Sequence, residues 1–200
     1  MDKQKETSAL EDLMSEHGIL NRLLLIYEKA IENLEKDIYF DIKIVNVAAK
    51  LVRRFVEDYH EKTEERYVFP VLQQLKIETE LVNELILQHK LGRVLTNNII
   101  ALTEKQFNKN KLIKYMRLFI KMYRFHECKE DTIIFRLFKN AVTDKEYNEY
   151  GEKFETEEEA VLGEDGFNKI LELVAVLEKK IDIYDLNKIT KEINLELQKN

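Results

Sequence analysis

Apolar residues recur along this chain at alternating steps of three and four, the spacing of one face of an α-helix packed in a bundle. The first such stripe is Leu10, Leu13, His17, Leu20, Leu24, Tyr27, Ile31 and Leu34, with Ser8 and Glu11 at capping-box spacing before it. A second helix is predicted over about residues 41–73, with Ala49, Val52, Val56, Tyr59/His60, Glu64 and Tyr67 inward and Pro70 as a stop or kink. A third, over about 78–106, carries Leu85, His89, Gly92, Thr96, Ile99 and Thr103 on one face. Beyond the polar break at Asn108-Lys109-Asn110, a fourth covers about 111–140 with Leu112, Tyr115, Phe119, Met122, His126, Glu130, Ile133 and Leu137 as its stripe.

After Asn140 the pattern changes. Thr143 and Glu146 predict a new cap and an acidic helix to about Leu162. Gly163-Glu164-Asp165-Gly166 reads as a turn, Phe167 to Ile183 as an amphipathic helix, and Tyr184 to Asn200 as a short helix or a frayed tail. The predicted class is all-α. Residues 1–140 form an antiparallel four-helix bundle and residues 141–200 a helical extension packed on it, because ~60 residues of helix make only a small core alone.

The four histidines of the chain all fall inside apolar stripes, one per bundle helix. Two of them open matching segments, His60-Glu61-Lys62-Thr63-Glu64-Glu65 and His126-Glu127-Cys128-Lys129-Glu130-Asp131. In each, a Glu follows the His by four positions, so one helix face presents an imidazole and a carboxylate together. The first and third helices each add a single His, which makes the bundle two His, His/Glu hairpins with approximate two-fold symmetry. A buried carboxylate without a counter-charge is costly, and metal ions supply that charge. The predicted ligands are His17, His60, Glu64, His89, His126 and Glu130. Four imidazoles, two carboxylates and no thiolate suit iron or manganese better than structural zinc or calcium. If Glu64 and Glu130 each bridge, each metal receives two imidazoles and two carboxylate oxygens. An oxo or hydroxo bridge would then leave an open position for a small molecule.

Residues next to these ligands read differently. Glu61 and Glu127 directly follow their histidines and are alternative ligands, but they lie about 100° round the helix and are expected on the surface. Tyr123, one turn before His126, is expected in the core, with a hydrogen bond or an electron to offer the site. Gly92 leaves room either for close helix packing or for an exogenous ligand. Cys128 is expected to be a plain surface or interhelical thiol.

Composition narrows the function class. The net charge is −6, and no basic stripe interleaved with aromatics suggests nucleic acid. No apolar run approaches the ~20 residues of a membrane span. A lone Cys and a polar N-terminal segment fit a reducing, cytoplasmic setting.

The segments Glu16-His17-Gly18-Ile19-Leu20, His60 to Glu65, Gln88-His89-Lys90-Leu91-Gly92-Arg93 and His126 to Asp131 resemble the hemerythrin-like HHE cation-binding family over roughly residues 10–140. The stretch from Tyr147 to Leu186 is similar to the C-terminal extension of some bacterial members. The resemblance implies a bundle holding two non-haem iron ions, oxo- or hydroxo-bridged, with manganese or zinc as substitutes and the same six residues as ligands. Oxygen-carrying hemerythrins have a second His one turn after the third-helix His, where this chain has Arg93. Their fourth-helix carboxylate corresponds to Asp131, whereas the internal repeat here favours Glu130. The expected function is therefore binding or reduction of a small oxidant (dioxygen, peroxide or nitric oxide) in sensing or stress defence. The alternatives are iron handling or iron-centre repair, and a metal-stabilised regulatory module that offers its C-terminal helices to a protein partner.

Overall fold

The computed structural model describes residues 9–198, and among these there are seven helices and no strand. The Ser8 cap lies outside the described residues. Helix α1 is Ala9–Glu35. Helix α2 runs continuously over residues 43–74, and α3 is Thr79–Glu104. Helix α4 runs over residues 109–141. The Asn108 side chain caps its start by accepting from the Lys111 N–H at 3.0 Å. Neighbours in the chain are neighbours in space: α1 packs on α2, α2 on α3, α3 on α4, and α4 back on α1. This is the four-helix bundle that the stripes predict.

Two of the four helices change their winding. Within α2, Val52–His60 and Glu64–Val68 are π-helical, and within α4 so is Glu130–Ile134. Both Glu64 and Glu130 thus open a five-residue π turn. Such turns concentrate at functional sites because the extra residue re-aims side chains without ending the helix. Pro70 does not stop this helix. The Phe69 N–H bonds to the Glu64 carbonyl five residues back, and Pro70 enters the first turn of the following α segment, Phe69–Gln74. A missing N–H is tolerated there because the change of register already skips a carbonyl.

Beyond the bundle, Asp144–Leu162 is α5, Gly166–Lys180 is α6 and Leu186–Leu197 is α7. The Thr143/Glu146 capping box starts α5. Both α5 and α6 lie against the α1/α2 hairpin. Arg22 of α1 grips Glu178 of α6 with two hydrogen bonds of 2.8 and 2.5 Å. Arg54 of α2 donates to the Leu162 carbonyl at the end of α5. Their apolar residues enter the bundle's own cores: Leu162, Ile170, Val174 and Leu177 join one, Tyr147 and Phe154 the other.

Those two cores sit at opposite ends. One is built around Tyr27, Phe55, Phe119 and Tyr123, the other around Leu13, Phe69, Phe135 and Phe138. Between them lies a layer of buried polar residues, and all four histidines belong to it.

Candidate metal centre

Each hairpin contributes one pair of imidazoles. His17 and His60 face each other with 3.0 Å between their Nε2 atoms, and His89 and His126 do the same at 3.1 Å. Glu64 and Glu130 are fully buried between the pairs. Glu64 turns Oε1 toward His60 (3.6 Å) and Oε2 toward His89 (3.5 Å). Glu130 turns Oε2 toward His17 (3.4 Å) and Oε1 toward His126 (3.0 Å). Two four-residue donor sets result, His17/His60/Glu64/Glu130 and Glu64/His89/His126/Glu130, each with donor atoms within 4.8 Å of one another. The six residues singled out by sequence are thereby brought into one pocket, with both carboxylates common to the two halves.

The outer nitrogens of the rings are also held. His17 Nδ1 donates to Asp131 at 2.8 Å, His89 Nδ1 to Glu65 at 3.1 Å and His126 Nδ1 to the Gln88 side-chain carbonyl at 3.1 Å. His60 Nδ1 lies 2.6 Å from Glu16, whose other oxygen accepts from the Tyr59 hydroxyl at 2.6 Å. Where Nδ1 of a neutral ring donates outward, its Nε2 is left with a lone pair for the pocket.

This arrangement is incomplete as protein alone. Apart from the imidazoles they face, neither oxygen of Glu64 or Glu130 has a hydrogen-bond partner, although both side chains are buried. Each apposed pair of Nε2 atoms can share at most one proton. A cation in place of that proton satisfies two lone pairs and two carboxylate oxygens together, so the donor set fits a pair of metal ions. Without a cation the pocket divides its protons unevenly. Burial and the charge of Glu130 push Glu64 well above the usual carboxylate range. Glu130 stays well below it, because His126 and His17 outweigh its burial. Burial pushes His60 well down and His89 down to about 4. Against burial, Asp131 and Glu130 hold His17 well up.

Sequence spacing misplaced Glu61 and Glu127. Both are buried, not on the surface. An i+1 residue does turn away from the pocket, but here it turns into a helix seam, because α2 and α4 are packed on more than one side. Glu61 accepts from the Tyr123 hydroxyl at 2.6 Å and pairs with Arg93 at 2.7 Å. Glu127 accepts from Asn21 at 2.5 Å. Tyr123 is a core residue as expected, bonded to Glu61 with its ring edge against His126. Gly92 serves close packing: a Cβ there would strike the Tyr123 hydroxyl and ring. Arg93 bridges Glu61 and Glu65, and Cys128 is exposed.

The four Nδ1 acceptors were missed as a set, although the sequence carries their signal. Glu16 and Gln88 each precede a lone His and hold the His of the next helix. Glu65 and Asp131 each lie five positions after the other two histidines and hold the lone ones. The offsets repeat with the internal two-fold.

Comparison with known proteins agrees with this geometry. The model of the hemerythrin HHE cation binding domain matches residues 8–138. Two mycobacterial proteins, one from Mycobacterium tuberculosis and one from Mycobacterium bovis, both named as uncharacterized, are each 39% identical over 194 residues. The match covers 94% of this chain and 76% of each relative. No solved structure matches the chain. Among the described residues no helix is long and apolar enough to cross a membrane. With more than half of its length matched, the chain belongs to the family of hemerythrin HHE cation binding domain proteins.

Proposed function

We propose that this chain holds two non-haem iron ions on His17, His60, Glu64, His89, His126 and Glu130, and uses them to bind or reduce a small oxidant: dioxygen, peroxide or nitric oxide. The observation that carries this reading is the pair of buried carboxylates, each shared between two imidazole pairs and otherwise without a hydrogen-bond partner. Iron bound there would supply the positive charge these carboxylates lack and the electrons for a small oxidant. The protein's own part is to hold the donors in place. Glu16, Glu65, Gln88 and Asp131 fix the ring orientations, and the apolar layers at both ends keep bulk water out. All six residues are at most 3% exposed, which restricts access to small molecules. The same enclosure favours this reading over donation of iron to other centres, since release would require the bundle to open.

The test is metal content together with optical spectra of protein purified with and without air. The expected result is two irons per chain and near-ultraviolet absorption that changes when dioxygen, peroxide or nitric oxide is added. An iron-loaded protein indifferent to all three would overturn the reading.

A further inference from the structure

The inner donors are shared evenly between two ion positions, but the charges behind them are not. Behind His17 and His60 stand Asp131, Glu16 and Glu127. Asp131 meets His17 Nδ1, and Glu16 meets His60 Nδ1. Glu127 lies close enough for its charge to act on His17. The other hydrogen-bond partners of these acids are Tyr59 and Asn21, both neutral. Among the described residues no lysine or arginine pairs with any of the three. Glu16 and Glu127 are 2 and 4% exposed, so water does little to screen them.

Behind His89 and His126 the acids are already neutralised. Glu65 meets His89 Nδ1, and a Glu61 oxygen lies within 4.8 Å of both. Arg93 reaches the two acids, at 2.7 Å to Glu61 and 2.8 Å to Glu65, and Lys62 meets Glu65 at 2.6 Å. His126 Nδ1 meets only the uncharged side-chain carbonyl of Gln88. A ring whose outer N–H faces a carboxylate is the more basic donor, and unneutralised negative charge nearby attracts a cation directly.

We infer that the two ion positions are unequal: the ion on His17 and His60 is held tightly, and the ion on His89 and His126 is the exchangeable one, with Gln88 and Arg93 setting the difference. The inference rests on the two-ion reading proposed above and not on any reaction with an oxidant. Repulsion between two cations weakens whichever binds second but does not choose its position. The outer charges do.

The test uses the full chain with nitrogen-labelled imidazoles, loaded with zinc as a spectroscopically quiet probe. The ring nitrogen shifts of the four histidines report coordination residue by residue. A chelator of known affinity is added at about pH 9, where Glu16 and Glu127 are ionised, since burial pushes them only to about 8 and about 7. His89 and His126 should lose zinc first, with His17 and His60 still ligated, the two losses lying roughly 10–100-fold apart in free zinc. Gln88→Glu places an acid behind His126 as Glu16 stands behind His60. It should strengthen the exchangeable ion roughly tenfold or more and leave the tighter one as it was. Arg93→Gln, which keeps a hydrogen-bond donor and removes the charge, should act in the same direction. Simultaneous loss from both positions overturns the inference, as does loss from His17 and His60 first. So does a spacing that both variants leave unchanged. A chain that holds one zinc, on His17 and His60, would overturn the two-ion reading and bear out the inequality. One zinc on His89 and His126, or none at all, would overturn both.

Discussion

The two hairpins of this bundle are nearly interchangeable where they face the pocket and quite different where they face away. Toward the pocket, α1/α2 offers His17, His60 and Glu64, and α3/α4 offers His89, His126 and Glu130, with the same spacing and the same π turn at each Glu. One step out, the halves diverge. His60 is held by the acid Glu16, whereas His126 is held by the neutral amide Gln88. Three residues before its His, α2 has Glu57 and α4 has Tyr123; three after its His, α1 has Leu20 and α3 has Gly92. One residue before the His, Tyr59 is 2% exposed and Phe125 is 68% exposed. The demands of two equivalent donor sets account for the likeness. Outside them, each hairpin answers only to its own neighbours.

The strongest way to break the equivalence is to remove one shared carboxylate. Glu64→Ala and Glu130→Ala should each cut bound metal to half or less, and by similar amounts, because each Glu serves both donor sets. Metal analysis of purified variants checks this. Loss of one half-site by one variant and none by the other would show that the carboxylates are not shared.

Next in size is the difference between Glu16 and Gln88. Burial pushes Glu16 up to about 8 from 4.5, against the hydrogen bond from Tyr59 and the charge of His17. In protein stripped of metal, the folded chain therefore keeps this proton between about 4.5 and about 8, while the unfolded chain has lost it. Stability should fall as pH rises through that window, by on the order of a few kcal/mol. Glu16→Gln gives the first hairpin the acceptor of the second and should flatten this part of the profile. Urea unfolding of both proteins as a function of pH is the measurement. An unchanged slope would mean that Glu16 is not the group responsible.

A smaller effect is expected at the two acids that cross between hairpins. Asp131 holds His17, and Glu65 holds His89. Asp131→Ala and Glu65→Ala should each lower metal affinity roughly 10–100-fold, as loss of an outer-shell partner generally does. Glu65 also pairs with Arg93, which Glu61 holds as well, so its variant should leave Arg93 anchored. Competition with a chelator of known affinity reads both. Equal affinities in wild type and both variants would show that these hydrogen bonds do not orient the rings.

The pocket was legible in the sequence because its requirements are local. A His and a Glu four apart share a helix face whatever the rest of the fold does, and two single histidines inside apolar stripes complete the set. The outer layer was less legible because it depends on seams. Glu61 turns away from its His but into α3 and α4, and Glu127 turns away from its His but into α1. A helical wheel shows the angle and not what stands there. The π turns were invisible for a related reason: they alter hydrogen-bond register without disturbing the apolar period enough to be seen. Nor does any stripe reveal which hairpin α5 and α6 would cover. Arg22 and Arg54 read as ordinary surface cations until Glu178 and the end of α5 are seen against them.

That covering is what separates Tyr59 from Phe125, and the smallest predicted effects test it. Tyr59 lies in the core and donates to Glu16, so Tyr59→Phe removes a partner from a buried carboxyl and should cost about 1–2 kcal/mol. Phe125 holds the same position before its His yet makes no such bond. Phe125→Ser should stay within ~0.5 kcal/mol of its parent. Chemical denaturation separates the two cases. A loss at Phe125 as large as that at Tyr59 would mean that the open face of α4 is covered within a single chain, and the contrast between the hairpins would then reduce to two ways of covering the same bundle.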